Sequence, residues 1–305
     1  MELHILGQQL VNGLILGSTY GLIAVGYTMV YGIIGMINFA HGDIYMIAAY
    51  LTAIFLAVFL GAGIGGTVGA VLLTLVAVLV VTGLYGYVIE KVAYRPLRGS
   101  GRLSPLISAI GMSLVLQNYV QIAQGARNQG IPAIIPGGVE IPLGSGVVMV
   151  TYVQLLIFAV SLISMGVLAY IIQYTSLGRA CRATQQDIKM AAILGINTNK
   201  IISIVFIIGA VMAAVAGFLV SLNYGSFDFY IGFVTGIKAF TAAVLGGIGS
   251  LPGALLGGLL LGLSESLFSG FVNADYKDVF AFALLVLILI FKPSGILGRP
   301  EVEKV

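Results

Sequence analysis

IYMIAAYLTAIFLAVFLGAGIGGTVGAVLLTLVAVLVVTGLYGYVI, residues 44–89, contains no Asp, Glu, Lys or Arg. A helix crossing a bilayer takes about 20 predominantly apolar residues, so this run is too long for one span and fits two. Gly61-Ala-Gly-Ile-Gly-Gly66 divides it, because clustered glycines mark turns. Two apolar spans joined by a glycine turn set the class: an all-α, polytopic membrane protein. Composition agrees: of 305 residues, 59% are hydrophobic and 8% charged, with a mean hydropathy of +1.10. A globular domain is roughly a quarter charged, and a soluble protein of this size would need a charged surface that is not here.

Leu10 to Ile37 makes an earlier span, and Leu103–Ala126, Tyr152–Tyr174 and Ile201–Asn223 make three later ones. Phe233 to Phe271 is again too long for one helix, and Gly246-Gly247-Ile248-Gly249-Ser250-Leu251-Pro252-Gly253 breaks it into two shorter segments. A last span runs from Lys277 to Ile296, with Lys292 as a snorkelling terminal cation. The reading is about nine segments, eight to ten, including broken helices, within a single transmembrane domain over 1–305. Met1 to Leu10 lacks a basic n-region and a small-residue cleavage site, so the first apolar helix is expected to remain. With no Trp, anchoring at the interface falls to the 15 Tyr.

Eleven of the 14 basic residues sit in three places: Lys91, Arg95, Arg98 and Arg102; Arg179, Arg182, Lys189 and Lys200; Lys292, Arg299 and Lys304. The positive-inside rule assigns all three to the cytoplasm. Nine spans then put the N-terminus outside, where residues 1–42 carry no Lys or Arg, and put the 126–150 loop with Arg127, Glu140 and three prolines outside too. The net charge of +3 is modest, and no nucleic-acid partner is expected. Cys181 is the single cysteine, so there is no disulfide framework.

Glycine recurs at four-residue spacing, as Gly13, Gly17 and Gly21, as Gly253 with Gly257, and as Gly258 with Gly262. Small residues let helix backbones approach closely in lipid, and packing within the chain is the simpler use, with a dimer interface as the alternative.

No Gly-Lys dipeptide occurs, so there is no P-loop. There is no Gly-x-Ser-x-Gly elbow, and no Cys/His pair has metal-ligand spacing. No catalytic residue, metal site or cofactor is expected. Asn38-Phe39-Ala40-His41-Gly42-Asp43 places ionisable groups between two spans. Such groups at membrane depth face a cavity or a partner; the other reading is a cytoplasmic turn with Asp43 as a helix cap. Glu265 is an isolated acid in an apolar segment, read as a satisfied structural carboxylate or a path-lining group. Asp228, Lys238, Asp275 and Asp278 read as interfacial charges.

One polar island interrupts the second half, from Gly178-Arg179-Ala180-Cys181-Arg182-Ala183 to Gly195-Ile196-Asn197. Ile188, Ala191, Ala192 and Leu194 among charges fit short amphipathic helices on the membrane surface. Asp187 and Asn197 are expected caps, and Gly195 a helix stop. A loop this long with its own structure is rarely idle, and a chain with no nucleotide site has use for a soluble ATPase there. An ion-coupled carrier acting alone is the rival reading, with Glu265 or Asp43 as its only buried carboxylates.

Several passages resemble the branched-chain amino-acid permeases, membrane subunits of ATP-binding-cassette importers. They are Tyr20-Gly-Leu-Ile-Ala-Val-Gly-Tyr-Thr-Met-Val-Tyr-Gly-Ile-Ile-Gly-Met-Ile-Asn-Phe-Ala-His-Gly42, the island with Asp187, Lys238-Ala-Phe-Thr-Ala-Ala-Val-Leu-Gly-Gly-Ile-Gly-Ser-Leu-Pro-Gly253, and the ending from Pro293 to Val305. The resemblance implies a multi-pass subunit of the bacterial inner membrane that carries leucine, isoleucine or valine. It implies as partners a second, related permease, two cytoplasmic ATPases and an external substrate-binding protein. It makes 175–200 the coupling loop, with Gly178, Arg179, Ala180, Arg182, Asp187, Ala191 and Gly195 as ATPase-coupling residues. Of the general importer signature, Glu-Ala-Ala, three residues, then Gly, only Ala191 and Gly195 fit. Asn38, His41, Asp43, Gly246, Gly247 and Gly249 are the candidate lining of the translocation path.

Overall fold

The computed structural model describes residues 3–101, 103–144 and 146–298; Arg102, Arg299, Lys304 and the last part of the C-terminal ending lie outside them. Seven of the described helices are long and apolar enough to cross a membrane. In chain order the first five helices are α1 (Leu3–Ile34), α2 (His41–Gly61), α3 (Gly66–Ile89), α4 (Leu103–Gln124) and α5 (Tyr152–Tyr174). Then come α6 (Ser176–Gln186), α7 (Ile188–Ile193), α8 (Thr198–Tyr224), α9 (Ile231–Gly246), α10 (Leu251–Phe271) and α11 (Lys277–Phe291). α9 and α11 are the two shorter apolar helices, of 16 and 15 residues. The protein is an all-α polytopic membrane protein, and the expected breaks at Gly61–Gly66 and Gly246–Gly253 both fall between helices.

Two differences have local causes. α1 begins at Leu3, seven residues before the expected Leu10, because Gln8 ties that extension to a hairpin: its side chain donates to Met149 O at 3.1 Å and accepts from Met149 N at 2.9 Å. The 126–150 loop is not irregular: β2 (Gly138–Leu143) and β3 (Gly146–Thr151) pair antiparallel, and β1 (Gln129–Gly130) pairs with β4 (Ser226–Phe227) after α8. Thr151 then starts α5 with a reciprocal cap, its hydroxyl accepting from Gln154 N at 3.2 Å while Gln154 Oε1 accepts from Thr151 N at 2.9 Å.

α1 is the axis of the bundle, its central residues buried from Tyr20 to Val30. The two glycine stripes meet each other. Gly17 and Gly21 of α1 lie against Gly258 and Gly262 of α10, and a Cβ on Gly17 would stand 2.7 Å from Leu259 Cα. Backbone-to-backbone contact of this kind supplies the dispersion energy that apolar burial cannot supply in lipid.

α2 does not start at the membrane edge. Its His41 ring fills the gap between Gly26 of α1 and Gly209 of α8. Gly209 is eleven residues into α8, about 16 Å along at 1.5 Å per residue. α1 ends with Gly35 at φ +65°, and the chain returns through Asn38–Ala40 to that depth. α9 begins there too, with Gly232 against Gly42 and Met46, and Gly236 against Gly42. At about 24 Å, α9 is shorter than a hydrocarbon core of about 30 Å. Such interior breaks are tolerated because protein surrounds them.

The start of α1 and the hairpin share one end of the bundle. Arg95, Arg98, α6, α7 and the described end of the chain, where Leu297 N donates to Gly246 O at 2.9 Å, lie at the other. These are the hairpin end and the basic end.

Candidate functional site

The basic end is organised around α6 and α7. Thr175 caps α6, accepting from Gly178 N at 3.2 Å, and its hydroxyl donates to Ile171 O at 2.5 Å. A side chain at Gly178 would overlap the Ile171 and Ile172 carbonyls, so the sharp α5–α6 corner needs glycine. The Arg182 guanidinium donates to Ile172 O and covers an open carbonyl at the end of α5. Asp187 caps α7, accepting from Lys189 N at 2.8 Å and Met190 N at 2.9 Å. Gly195 at φ +85° ends it, and Asn197 caps α8 by accepting from Lys200 N at 3.0 Å. All three expected punctuation residues hold those places.

Ala191 and Cys181 turn inward, Ala180 is half-buried and Arg179 faces out. Burial pushes the Cys181 thiol up from its ordinary value, and neighbouring Arg182 opposes this. The outer face of α7 and its exit carries Ile188, Met190, Ile193 and Leu194, the last two about three-quarters exposed.

Beside this segment lies a cluster that the sequence reading did not single out. α3 ends in one π-helical turn, Glu90–Tyr94, which brings Glu90 inside the protein with no exposed surface. Glu90 Oε1 accepts from Arg95 Nε at 3.2 Å and from Arg98, and Oε2 accepts from Arg95 at 3.1 Å and from Ser203 Oγ of α8 at 2.7 Å. Arg98 also donates to Asn199 Oδ1 at 2.7 Å. The signal was there: an acid directly after a charge-free run, with arginines five and eight residues on.

Two cavities approach α1 from opposite ends. The hairpin-end cavity, about 640 Å³, reaches from Gln9 and Asn12 down to Tyr20. The basic-end cavity, about 590 Å³, runs from Thr28 to Ile33 and is walled by Cys181, Arg182 and Gln185 of α6, with Gly249 and Ser250 opposite. Tyr20 and Thr28 are eight residues apart in sequence, about 12 Å of buried helix.

At the foot of the hairpin-end cavity is the second buried charge cluster. Lys238 Nζ of α9 lies 2.6 Å from Glu265 Oε1 of α10 and 2.5 Å from Asp278 Oδ1 of α11, and Tyr20 OH donates to Glu265 Oε2 at 3.0 Å. The expectation that Lys238 is an interfacial charge is thereby corrected, while Asp278 keeps a partly exposed place in the first turn of α11. A buried ammonium is tolerable only when paired, and its partners are 27 and 40 residues away in sequence. Glu265 is paired, as one reading of it expected, and it also lines the cavity, as the other did.

The other path candidates divide. Gly249 lines the basic-end cavity. Gly246 packs on Gly253, and Gly247 on Gly295 and Gly298, both at backbone distance. Asn38, His41 and Asp43 are buried and border neither cavity: Asn38 Oδ1 accepts from Tyr94 OH at 2.9 Å, His41 meets the Tyr27 ring edge-on at 4.7 Å, and Asp43 Oδ1 accepts from Gln117 Nε2 at 3.0 Å. Asp43 is not the cap of α2, which has no side-chain cap.

Residues 9–289 match the family model described as branched-chain amino acid transport system / permease component. The high-affinity branched-chain amino acid transport system permease protein BraD of Pseudomonas aeruginosa is 54% identical over 299 residues, covering 98% of this chain and 97% of that protein. LivH of Escherichia coli (strain K12), with the same description, is 52% identical over 299 residues and the same shares. A probable branched-chain amino acid transport permease LivH of Methanocaldococcus jannaschii is 25% identical over 312 residues, covering 96% and 93%. No solved structure matches the chain. An axial helix closed between opposed cavities is what a permease requires, and the chain belongs to the family of permease components of branched-chain amino acid transport systems.

Proposed function

We propose that this chain is one of two membrane subunits of an ATP-driven importer in the bacterial inner membrane, moving leucine, isoleucine and valine inward. The family match and the names of its relatives support the substrate class. Under the positive-inside rule the basic end is cytoplasmic, and the hairpin end receives substrate from an external binding protein. A second, related permease completes the pore.

The observation that carries the ATP-driven reading is the segment 175–200. Its helices start at side-chain caps, Thr175 and Asp187, and α7 ends at a positive-φ glycine, yet the segment presents Ile193 and Leu194 to the outside and lines the basic-end cavity with α6. A rigid element with one face for a soluble partner and the other on a cavity converts partner motion into cavity opening. Gly178, Arg179, Ala180, Arg182, Asp187, Ala191 and Gly195 are its coupling residues: Arg179 on the partner face, the others building the frame. Substrate passes along α1 from one cavity to the other. Gly249 borders the path, while Asn38, His41, Asp43, Gly246 and Gly247 brace its walls.

Co-purification with the ATPases tests this. Gly195→Pro cannot adopt φ +85°, and Arg179→Glu reverses an exposed charge. Both variants are expected to insert in the membrane and lose the ATPases. Retention of the ATPases by both would count against the coupling assignment.

A further inference from the structure

The hairpin-end cavity has a polar foot that fits a zwitterion. Five charged residues border it: the ammoniums of Lys238 and Lys277, and the carboxylates of Glu265, Asp278 and Asp228. Three acids against two bases leave an excess negative charge, which repels a lone carboxylate and attracts an ammonium. An ammonium carries three donors. Two of those on Lys238 face Glu265 Oε1 and Asp278 Oδ1, leaving one for a further acceptor. Lys238 and Glu265 are almost wholly buried, whereas the Asp278 side chain is 45% exposed. Facing this cluster, Ile15, Leu16, Ile231 and Val234 supply apolar wall within the same cavity. Its volume, about 640 Å³, lies within the range of small-molecule pockets, about 300–1,000 Å³.

The geometry points to a substrate site in which Lys238 takes the α-carboxylate of an amino acid, Asp278 and Glu265 take its α-ammonium, and the Ile15–Val234 wall takes its branched side chain. This deepens the importer reading and rests on it. The three charged residues belong to three different helices, α9, α10 and α11. A bound zwitterion therefore exchanges partners between them, bridging charged groups that in its absence meet through Lys238. Ligands without either charged pole leave a buried group unpaired, and that exclusion is the source of selectivity.

The test uses the purified assembly of this chain with its second permease and ATPases, without the external binding protein, and measures tritiated leucine binding. Wild type is expected to bind leucine, with competition by isoleucine and valine. 4-Methylpentanoate, which lacks the ammonium, and 3-methylbutylamine, which lacks the carboxylate, are not expected to compete. Glu265→Gln, Asp278→Asn and Lys238→Met should each weaken leucine binding at least about tenfold, the worth of one charge-assisted hydrogen bond. A purely structural ion pair would tolerate joint neutralisation. Lys238→Met with Glu265→Gln is therefore expected to assemble and melt like wild type yet not regain leucine binding. Absence of leucine binding by wild type at millimolar concentration, equal competition by either analogue, or binding restored in the double variant would overturn the site. ATP-driven leucine uptake by the same wild-type preparation in vesicles reports separately on the importer reading, so the two can fail independently.

Discussion

Glu90, in the π turn that ends α3, accepts a 2.7 Å hydrogen bond from Ser203 of α8. The same carboxylate takes Arg95 and Arg98, so one buried anion holds the end of one membrane helix to the start of another. Glu90→Gln leaves Arg95 and Arg98, whose side chains both reach solvent, so the loss is that of charge-assisted hydrogen bonds, about 1.5–3 kcal/mol, and Ser203→Ala is expected to cost about 1 kcal/mol, as read by thermal melting of the purified protein. Equal melting temperatures for Glu90→Gln and wild type would contradict this.

Cβ addition separates two kinds of glycine. Gly17→Val forces α1 away from Leu259, an overpacking cost of at least about 1–3 kcal/mol. Gly111, inside α4, meets nothing within 4 Å, and Gly111→Ala is expected to stabilise by up to about 1 kcal/mol through helix propensity. Opposite signs in a melting comparison are the expected outcome.

Ile193→Glu with Leu194→Glu changes only exposed positions, so stability should move by no more than about 0.5 kcal/mol per site. ATPase co-purification is expected to be lost nevertheless. Asp187→Ala removes the α7 cap at a cost of about 1 kcal/mol and should weaken association without abolishing it, as measured by titration of the purified ATPase.

Cys181 reports on the basic-end cavity that it lines. The thiolate is the reactive form, and burial raises this thiol above its ordinary value of 9.0. Modification by N-ethylmaleimide at neutral pH is therefore expected to be slower than for free cysteine and to climb as pH rises beyond 9.0. In stability the same group contributes fully below the unfolded thiol value, and that contribution is lost as pH rises through the folded one. Mass spectrometry over a pH series checks the rate; equality with free cysteine at neutral pH would contradict a buried thiol.

Much of the fold was legible because hydropathy and helix punctuation are local. Tyr152–Tyr174 is bounded as read, the Gly61–Gly66 turn separates α2 from α3, and Asp187, Gly195 and Asn197 hold the positions their side chains and φ preferences imply. What was not legible is tertiary. Lys238 looked like a boundary charge because its partners, Glu265 and Asp278, come from other helices. The start of α2 at mid-depth depends on Gly26 and Gly209 making room for His41, and no periodicity records that. The hairpin is also a tertiary feature: Val148 and Val150 are buried while Val147 and Met149 are exposed, the two-residue alternation of a strand, but all four residues are apolar, so the sequence itself does not alternate.

This chain is expected to move substrate only when ATPases drive it through the 175–200 segment. Leucine uptake into vesicles, measured for the chain alone, for the complete assembly with ATP, and for the assembly carrying Gly195→Pro, tests it most directly. Uptake is expected from the complete assembly with ATP and not from the other two. Uptake by the chain alone under an ion gradient, or undiminished ATP-driven uptake with Gly195→Pro, would contradict it.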